Sequence, residues 1–302
     1  MHIRRLASGA TILAPAKLNL FFEVLGKRTD GFHEVETLIC PINLYDTLYF
    51  RDIPGEAVSL KCRLVFGEGG PKSRGLSEVT EGRENLVHRA VELVRRRAGI
   101  ERGAELLLVK RIPAAAGLGG GSSDAAAALA AANEVWRLGR TAEQLARWAE
   151  ELGSDVPFFL AGGPALCRGR GERIAPVSAR GELHFVVVRP PEGLATAAVY
   201  AACQPAERPR AVQPLLDAIG RGDLKRIGLG LWNRLQPAAE KLSPWMERLG
   251  REFARLNLQG HGMSGSGTSY FGLCRNARDA RRIAGQLRSR SIGVVFAVRS
   301  CL

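Results

Sequence analysis

The central stretch Pro113-Ala114-Ala115-Ala116-Gly117-Leu118-Gly119-Gly120-Gly121-Ser122-Ser123-Asp124 joins two segments of opposite character. Before it, Leu106-Leu107-Leu108-Val109 reads as a buried strand. After it, residues 125–138 are alanine-rich and strongly helix-favouring. Four glycines within five positions at such a junction let the backbone approach a ligand more closely than any Cβ would allow. Ser122 or Ser123 is the natural N-cap, and the helix start supplies free N–H groups at the positive end of a dipole. Together these features make an anion site with phosphate as its natural ligand; the alternative is a flexible glycine turn ahead of a helix. Neither of the two commonest nucleotide loops fits. No lysine follows the glycines as a P-loop requires, and Ser122 stands where the dinucleotide pattern needs its last glycine.

The 302 residues suffice for one large domain or two of ordinary size. A hydrophobic content of 46% with 24% charged residues describes a soluble globular chain. No apolar run nears the ~18 residues of a membrane-spanning helix, and no signal peptide is evident. Six cysteines (Cys40, Cys62, Cys167, Cys203, Cys274, Cys301) are scattered without a C-x-x-C pair. That pattern disfavours a zinc site or a disulfide framework and suits a reducing cytoplasm. The five histidines show no metal spacing either. The net charge of +13 raises the question of nucleic acid. The basic residues are overwhelmingly arginine, however, spread along segments such as Arg95-Arg96-Arg97 that read as solvated helix faces. With no recognised nucleic-acid motif, an anionic small-molecule substrate accounts for the charge better, and no membrane partner is expected.

Working outward, residues 11–25 alternate, with Leu18, Leu20, Phe22 and Val24 on one face and Lys17, Asn19, Phe21 and Glu23 on the other. Lys17 beside Asn19 reads either as a solvated strand edge or as part of a site. Asp30-Gly31 is a turn that presents Phe32 and His33 from a loop. His33 there is either a plain exposed histidine or, with Phe32, a hydrogen-bonding and stacking pair for a planar ligand. Strands are expected near 37–42 and 46–50, a surface loop at 67–84, a helix at 86–98 and a strand at 104–112. Thr141-Ala142-Glu143-Gln144 is a capping box for a helix ending near Gly153. Asp155 follows at an element junction, ahead of an apolar run. It reads either as a capping aspartate or as a general base in a partly desolvated site. In the second half a strand is expected at 182–189, a short helix carrying Tyr200 at 196–203, and helices at 212–219, 224–231 and 244–256. A second glycine-serine loop, Gly262-Met263-Ser264-Gly265-Ser266-Gly267-Thr268, precedes a strand at 269–274, or is simply a hairpin turn. A helix at 277–289 and a strand at 293–298 complete a small α+β layer.

Three segments, taken in order, resemble the GHMP kinase superfamily. They are Pro15-Ala16-Lys17-Leu18-Asn19-Leu20 with Gly26-Lys27-Arg28-Thr29-Asp30-Gly31-Phe32-His33; Gly117-Leu118-Gly119-Gly120-Gly121-Ser122-Ser123-Asp124-Ala125-Ala126; and Gly262-Met263-Ser264-Gly265-Ser266-Gly267. The first of these singles out the branch acting on 4-diphosphocytidyl-2-C-methyl-D-erythritol in non-mevalonate isoprenoid biosynthesis. Mevalonate- or homoserine-type kinases, or a non-catalytic RNA-binding protein on the same fold, are the alternatives. The resemblance implies an α/β (α+β) protein of two domains. Residues 1–165 would form a mixed-sheet ATP-binding domain and residues 166–302 a ferredoxin-like α+β domain. It implies ATP and Mg²⁺ as cofactors, with Pro113 to Ser123 on the nucleotide and Ser122 or Ser123 as the candidates to meet the Mg²⁺ that travels with it. Asp155 matches the catalytic aspartate, taking the proton of the substrate 2-hydroxyl, and Lys17 the catalytic lysine that steadies the charge. His33 matches the cytosine-bonding residue, Phe32 and Tyr200 its stacking partners, and Asn19, Gly265 and Gly267 fall in the same substrate pocket. Ala115 and Ala116 stand where many relatives have glycine, which implies a stiffer first turn. Phe32 replaces a frequent tyrosine.

Overall fold

Residues 11–25 belong to a longer strand than their alternation indicates, and that strand organises the molecule. The computed structural model describes residues 1–65 and 80–301. The loop expected at 67–84 therefore lies outside the described residues, apart from its last five positions. In chain order the first half comprises β1 (His2–Leu6), β2 (Gly9–Lys27), β3 (His33–Ile53), β4 (Val58–Leu64), α1 (Leu86–Ala98), β5 (Gly103–Lys110), α2 (Gly120–Val135), α3 (Ala142–Ala149) and α4 (Val156–Ala161). There follow β6 (Ala165–Gly169), β7 (Arg173–Pro176), β8 (His184–Arg189), α5 (Thr196–Ala202), α6 (Gln213–Arg221), α7 (Leu224–Gly230) and β9 (Trp232–Asn233). The chain closes with α8 (Gln236–Leu242), α9 (Pro244–Ala254), β10 (Gly260–Met263), β11 (Tyr270–Cys274), α10 (Ala277–Arg288) and β12 (Val294–Arg299).

Among the described residues eight strands form a mixed sheet in the order β1-β2-β3-β5-β4. β6 joins β3, β7 joins β6, and the two-residue β9 lies parallel to β2 at Phe21 and Phe22. The two strands expected at 37–42 and 46–50 are one strand, β3; a register irregularity opposite Pro15/Ala16 bends the ladder without ending it. A second, antiparallel sheet has the order β10-β11-β8-β12.

Three apolar cores stack through these sheets. Helix α2 lies against the first sheet with Ala125–Ala128, Leu129, Ala131 and Ala132 all fully buried, packed with Ile12, Leu48, Phe50 and Phe158. Its alanines let the helix axis come close to the sheet, so it is apolar on every side instead of amphipathic. Leu18, Leu20 and Leu38 of the first sheet meet Phe185, Val187 and Phe271 of the second, together with Ile112, Ala116 and Leu118 of the glycine loop. The outer face of the second sheet is covered by Leu249 and Phe253 of α9 and Ile283 and Leu287 of α10. β2 is thus buried on both faces, and Lys17, Asn19 and Glu23 are inside. The alternation fails at a register irregularity between Asn19 and Phe21: Phe21 joins Leu18 and Leu20 in the core between the sheets, Phe22 and Val24 join the core under the second sheet's helices, and burial of both faces comes from tertiary packing. Lys17 is not a solvated edge.

Helix α2 starts earlier than expected, at Gly120, and its N-cap is Gly119 in the left-handed region, not Ser122 or Ser123. No side chain caps it. A Cβ on Gly119 would lie 2.9 Å from Lys17 Cγ and from Phe159 Cζ, so a capping serine has no room there. Thr141 and Gln144 do form the capping box of α3, whose helix ends at Ala149, short of Gly153. The start of α2 is instead held from below. Lys110 Nζ pairs with Asp46 and lies 2.6 Å from Asp124 Oδ2, and Asp46 also accepts the backbone N–H groups of Arg111 and Ile112. This buried cluster ties β3, the end of β5 and the first turns of α2 together. Burial, opposed by Lys110, raises the Asp124 carboxyl well above the usual range, with Asp46 adding to the rise.

The folded state therefore binds the Asp124 proton more tightly than the unfolded chain does. The stability it contributes is complete below the ordinary carboxylate range and declines as pH rises from there through the raised value. Asp124→Asn removes that decline. Denaturant unfolding across the pH range should show the parent losing stability relative to the variant as pH rises, and parallel curves would contradict this reading.

Candidate active site

Three backbone features bring the site together. The glycine loop between β5 and α2 lies against Lys17 of β2, whose N–H donates to Leu118 O at 2.9 Å. The loop between β10 and β11 is a hairpin, as one reading allowed, and it reaches the glycine loop: Ser264 Oγ donates to Gly117 O at 2.9 Å and Ser269 N to Ala116 O at 3.0 Å. Ser264 Oγ also accepts from Asn19 N at 3.2 Å. Gly117 has φ of 72°, and a Cβ there would sit 2.2 Å from Ser264 O. Only glycine permits that contact.

Lys17 Nζ donates to Asn19 Oδ1 at 2.5 Å and lies 3.6 Å from Asp155 Oδ2. Asn19 in turn donates to Thr37 Oγ1 at 2.8 Å, and Thr37 Oγ1 donates to Phe21 O. The lysine is buried at 4% exposure and fixed by this relay, whereas the Asp155 side chain is 41% exposed. Asp155 does occupy the N-cap position of α4, but its side chain makes no capping hydrogen bond there. It is free to meet a ligand.

Two clefts meet at the glycine loop. The larger, about 780 Å³, is lined by Lys17, Phe32, His33, Ser154, Asp155, Arg170, Tyr200, Gly265 and Gly267, with Lys27 at its rim. The smaller, about 430 Å³, is lined by Pro113 to Gly117, Gly119 to Gly121 and Ser122, with Asn85, Lys110 and Asp124. Ala115, Gly117 and Gly119 line both. Of the residues expected on the nucleotide, Leu118 points its side chain into the inter-sheet core, and Ser123 is buried beneath the helix start with its Oγ unpaired. Ala115 adopts φ of 49°, a left-handed conformation that glycine takes more readily than alanine.

At the far end of the larger cleft, His33 and Tyr200 stack at 4.9 Å with a tilt of 34°. Phe32 is half exposed at the rim, and the Arg170 guanidinium lies 4.8 Å over its ring. Burial, and secondly the Asp155 charge, pushes the Tyr200 phenol above its usual range, so it is a neutral donor. Asn19 lies behind the cleft wall and holds Lys17 from there. Lys17, Lys27 and Arg170 outnumber the single carboxylate Asp155 along this cleft. Such a surface suits a polyanion with a planar group at one end.

Arg170, Ser154 and Thr37 escaped the sequence reading. The first two follow apolar or glycine-rich runs with no motif of their own, and Thr37 matters only through its pairing with β2. Ser264 stood in the recognised loop, but nothing in its spacing disclosed that it bridges Asn19 and Gly117.

Two family models match the chain: the GHMP kinases N terminal domain over residues 85–163 and the GHMP kinases C terminal over residues 215–292. A protein of Pelotomaculum thermopropionicum named 4-diphosphocytidyl-2-C-methyl-D-erythritol kinase is 44% identical over 280 residues, covering 92% of this chain and 93% of its own. A crystal structure of 4-(cytidine 5'-diphospho)-2C-methyl-D-erythritol kinase superposes with a TM-score of 0.80 at 37% identity, over 97% of this chain and 99% of that one. A homoserine kinase from Cytophaga hutchinsonii, at 20% identity with a TM-score of 0.76 over 99% and 96% of the two chains, shares the fold alone.

The contact between loops predicts that Gly117→Ala costs about 1–2 kcal/mol or more, since it adds left-handed strain to a steric overlap. Gly121→Ala, where the new methyl would meet nothing closer than Leu86 Cδ1 at 3.8 Å, should stay within about 1 kcal/mol of the parent. Denaturant unfolding of both variants checks this, and equal losses would show that the loops do not depend on position 117.

Proposed function

The chain belongs to the 4-diphosphocytidyl-2-C-methyl-D-erythritol kinase family of the GHMP kinases, and from this we propose how its residues divide the work. The reaction is transfer of the γ-phosphoryl group of ATP to the 2-hydroxyl of 4-diphosphocytidyl-2-C-methyl-D-erythritol, giving the 2-phosphate and ADP, in the non-mevalonate route to isoprenoids. Homologues identical enough to carry the name cover nearly the whole chain. The mevalonate- and homoserine-type alternatives rest on likeness of fold only.

The observation that carries the residue assignments is the 3.6 Å approach of Lys17 Nζ to Asp155 Oδ2 beside the glycine loop that both clefts share. Asp155 accepts the proton of the 2-hydroxyl as that oxygen bonds to the γ-phosphorus and the bond to ADP breaks. Lys17, already held by Asn19, stabilises the developing negative charge without having to move. The smaller cleft takes the triphosphate along the N–H groups of residues 117–122, at the positive end of α2. The diphosphocytidyl group lies in the larger cleft, its base bonded by His33 and stacked by Phe32 and Tyr200. Lys27 and Arg170 balance its diphosphate. Residues 1–165 then supply loop, lysine and base, while residues 166–302 supply Tyr200 and the loop with Gly265 and Gly267 that closes the site.

Among the described residues no group of three or more His, Cys, Asp or Glu could hold a metal ion. The oxygen of Ser122 on the cleft wall, and the unpaired Oγ of Ser123 behind it, fit a hard cation that arrives with the nucleotide. Mg²⁺ held there would offset the negative charge of the nucleotide's phosphates. Scattered free cysteines support a cytoplasmic setting, and no helix among the described residues is long and apolar enough to cross a membrane.

Substrate-dependent release of ADP tests the proposal. Asp155→Asn should lower kcat by about 10²–10⁴-fold with nucleotide binding retained. Turnover that survives would remove Asp155 from its role, and no turnover by folded wild type would overturn the substrate assignment. Phe32→Ala should raise KM for the diphosphocytidyl substrate by the equivalent of about 1–3 kcal/mol, leaving KM for ATP unchanged. A change confined to ATP would put the base elsewhere.

A further inference from the structure

Asn233 does not touch either cleft, yet its side chain spans the hairpin loop that closes them. It is buried at 6% exposure. Its amide nitrogen donates to Met263 O and to Gly265 O, both at 2.8 Å, and its oxygen accepts from Leu235 N at 2.9 Å. Both amide protons are therefore spent on the two carbonyls that flank Ser264. No other residue type offers two coplanar donors and an acceptor in so small a side chain.

Asn233 is itself registered to the catalytic strand. β9 pairs in parallel with β2, Phe22 lying opposite Asn233, and Arg234 N donates to Phe22 O at 2.8 Å. The strand that carries Lys17 and Asn19 thus also carries, a few residues on, the support of the loop facing them. The clearance it sets is small. Gly265 has φ of 58°, and a Cβ there would lie 3.1 Å from Asn19 Oδ1 and 3.3 Å from Lys17 Nζ. Gln236 assists at the other side, its Oε1 accepting Met263 N at 3.0 Å.

We infer that Asn233 is a positioning residue for phosphoryl transfer: its carboxamide fixes the Met263–Gly265 segment against Lys17 and Asn19, and acts on the reaction through the place of Lys17. This rests on the kinase reading of the site. Without the amide, two buried carbonyls lose their donors and the segment relaxes away from β2. The lysine then loses one wall of its pocket and moves relative to Asp155. A displacement of about 1 Å at a reacting group costs up to about 100-fold in rate.

The test compares wild type, Asn233→Ala and Asn233→Asp, the latter keeping shape but losing both donors. Single-turnover rates are normalised to sites counted by ATP titration, so that an unfolded fraction does not enter. Each variant should lose about 10- to 100-fold in rate per site, with KM for ATP within about twofold. In a Lys17→Met background the same substitutions should cost less than about twofold, because the group they act through is gone. Amide hydrogen exchange over residues 263–268 should quicken in both variants. Rates per site within twofold of wild type, equal losses in both backgrounds, or unchanged exchange would each overturn the inference. If wild type fails to turn over the diphosphocytidyl substrate, the reading of the reaction falls, and the exchange comparison alone decides the role of Asn233.

Discussion

The structure depends on one close approach, between the backbone of the glycine loop at Gly117 and the backbone of the hairpin at Ser264. A side chain at 117 would overlap the Ser264 carbonyl oxygen. The Ser264 hydroxyl, caught between Gly117 O and Asn19 N, joins three segments far apart in sequence. With those segments joined, Lys17 has a single place to be: under Gly119, beside Gly265, bonded to Asn19 and facing Asp155. The glycines at 117, 119 and 265 are required because backbones and a lysine stem pass where their Cβ atoms would be, and not because the loops need to flex.

Packing reinforces this. Ile112, Ala116 and Leu118 of the glycine loop belong to the core between the two sheets, so the loop is anchored by apolar contact on one side while its N–H groups remain open on the other. Beneath it, Lys110 and two aspartates hold the first turns of α2. A buried cluster with two carboxylates and one lysine is a poor source of stability. Its evident contribution is geometric, linking the strand before the loop to the helix after it. Phosphoryl transfer calls for groups set in advance against developing charge, and a loop fixed on two sides meets that need.

Much of this was legible in the sequence. Element types in regular stretches followed from periodicity and capping, as with α1 at residues 86–98 and the Thr141 box of α3. The glycine loop, Lys17, Asp155 and His33 stood out because their chemistry is unusual in context, and the family resemblance joined them. What escaped depends on long-range contact. β3 reads as two strands because Pro41 and Asn43 interrupt its pattern, and only pairing with β2 carries it through. Gly119 displaces serine as the N-cap because Lys17 and Phe159, about a hundred and about forty residues away, fill the space. Asn233 lies in a two-residue strand with no periodicity of its own. Nothing local marks a residue whose partners are carbonyl groups thirty positions on.

A crystal structure of the complex with a non-hydrolysable ATP analogue, Mg²⁺ and 4-diphosphocytidyl-2-C-methyl-D-erythritol tests the central claim most directly. The account predicts the 2-hydroxyl within about 2.6–3.2 Å of an Asp155 carboxylate oxygen, with Lys17 Nζ beside the γ-phosphate and the triphosphate along residues 117–122. A 2-hydroxyl out of reach of Asp155, with the triphosphate held away from the glycine loop, would contradict it.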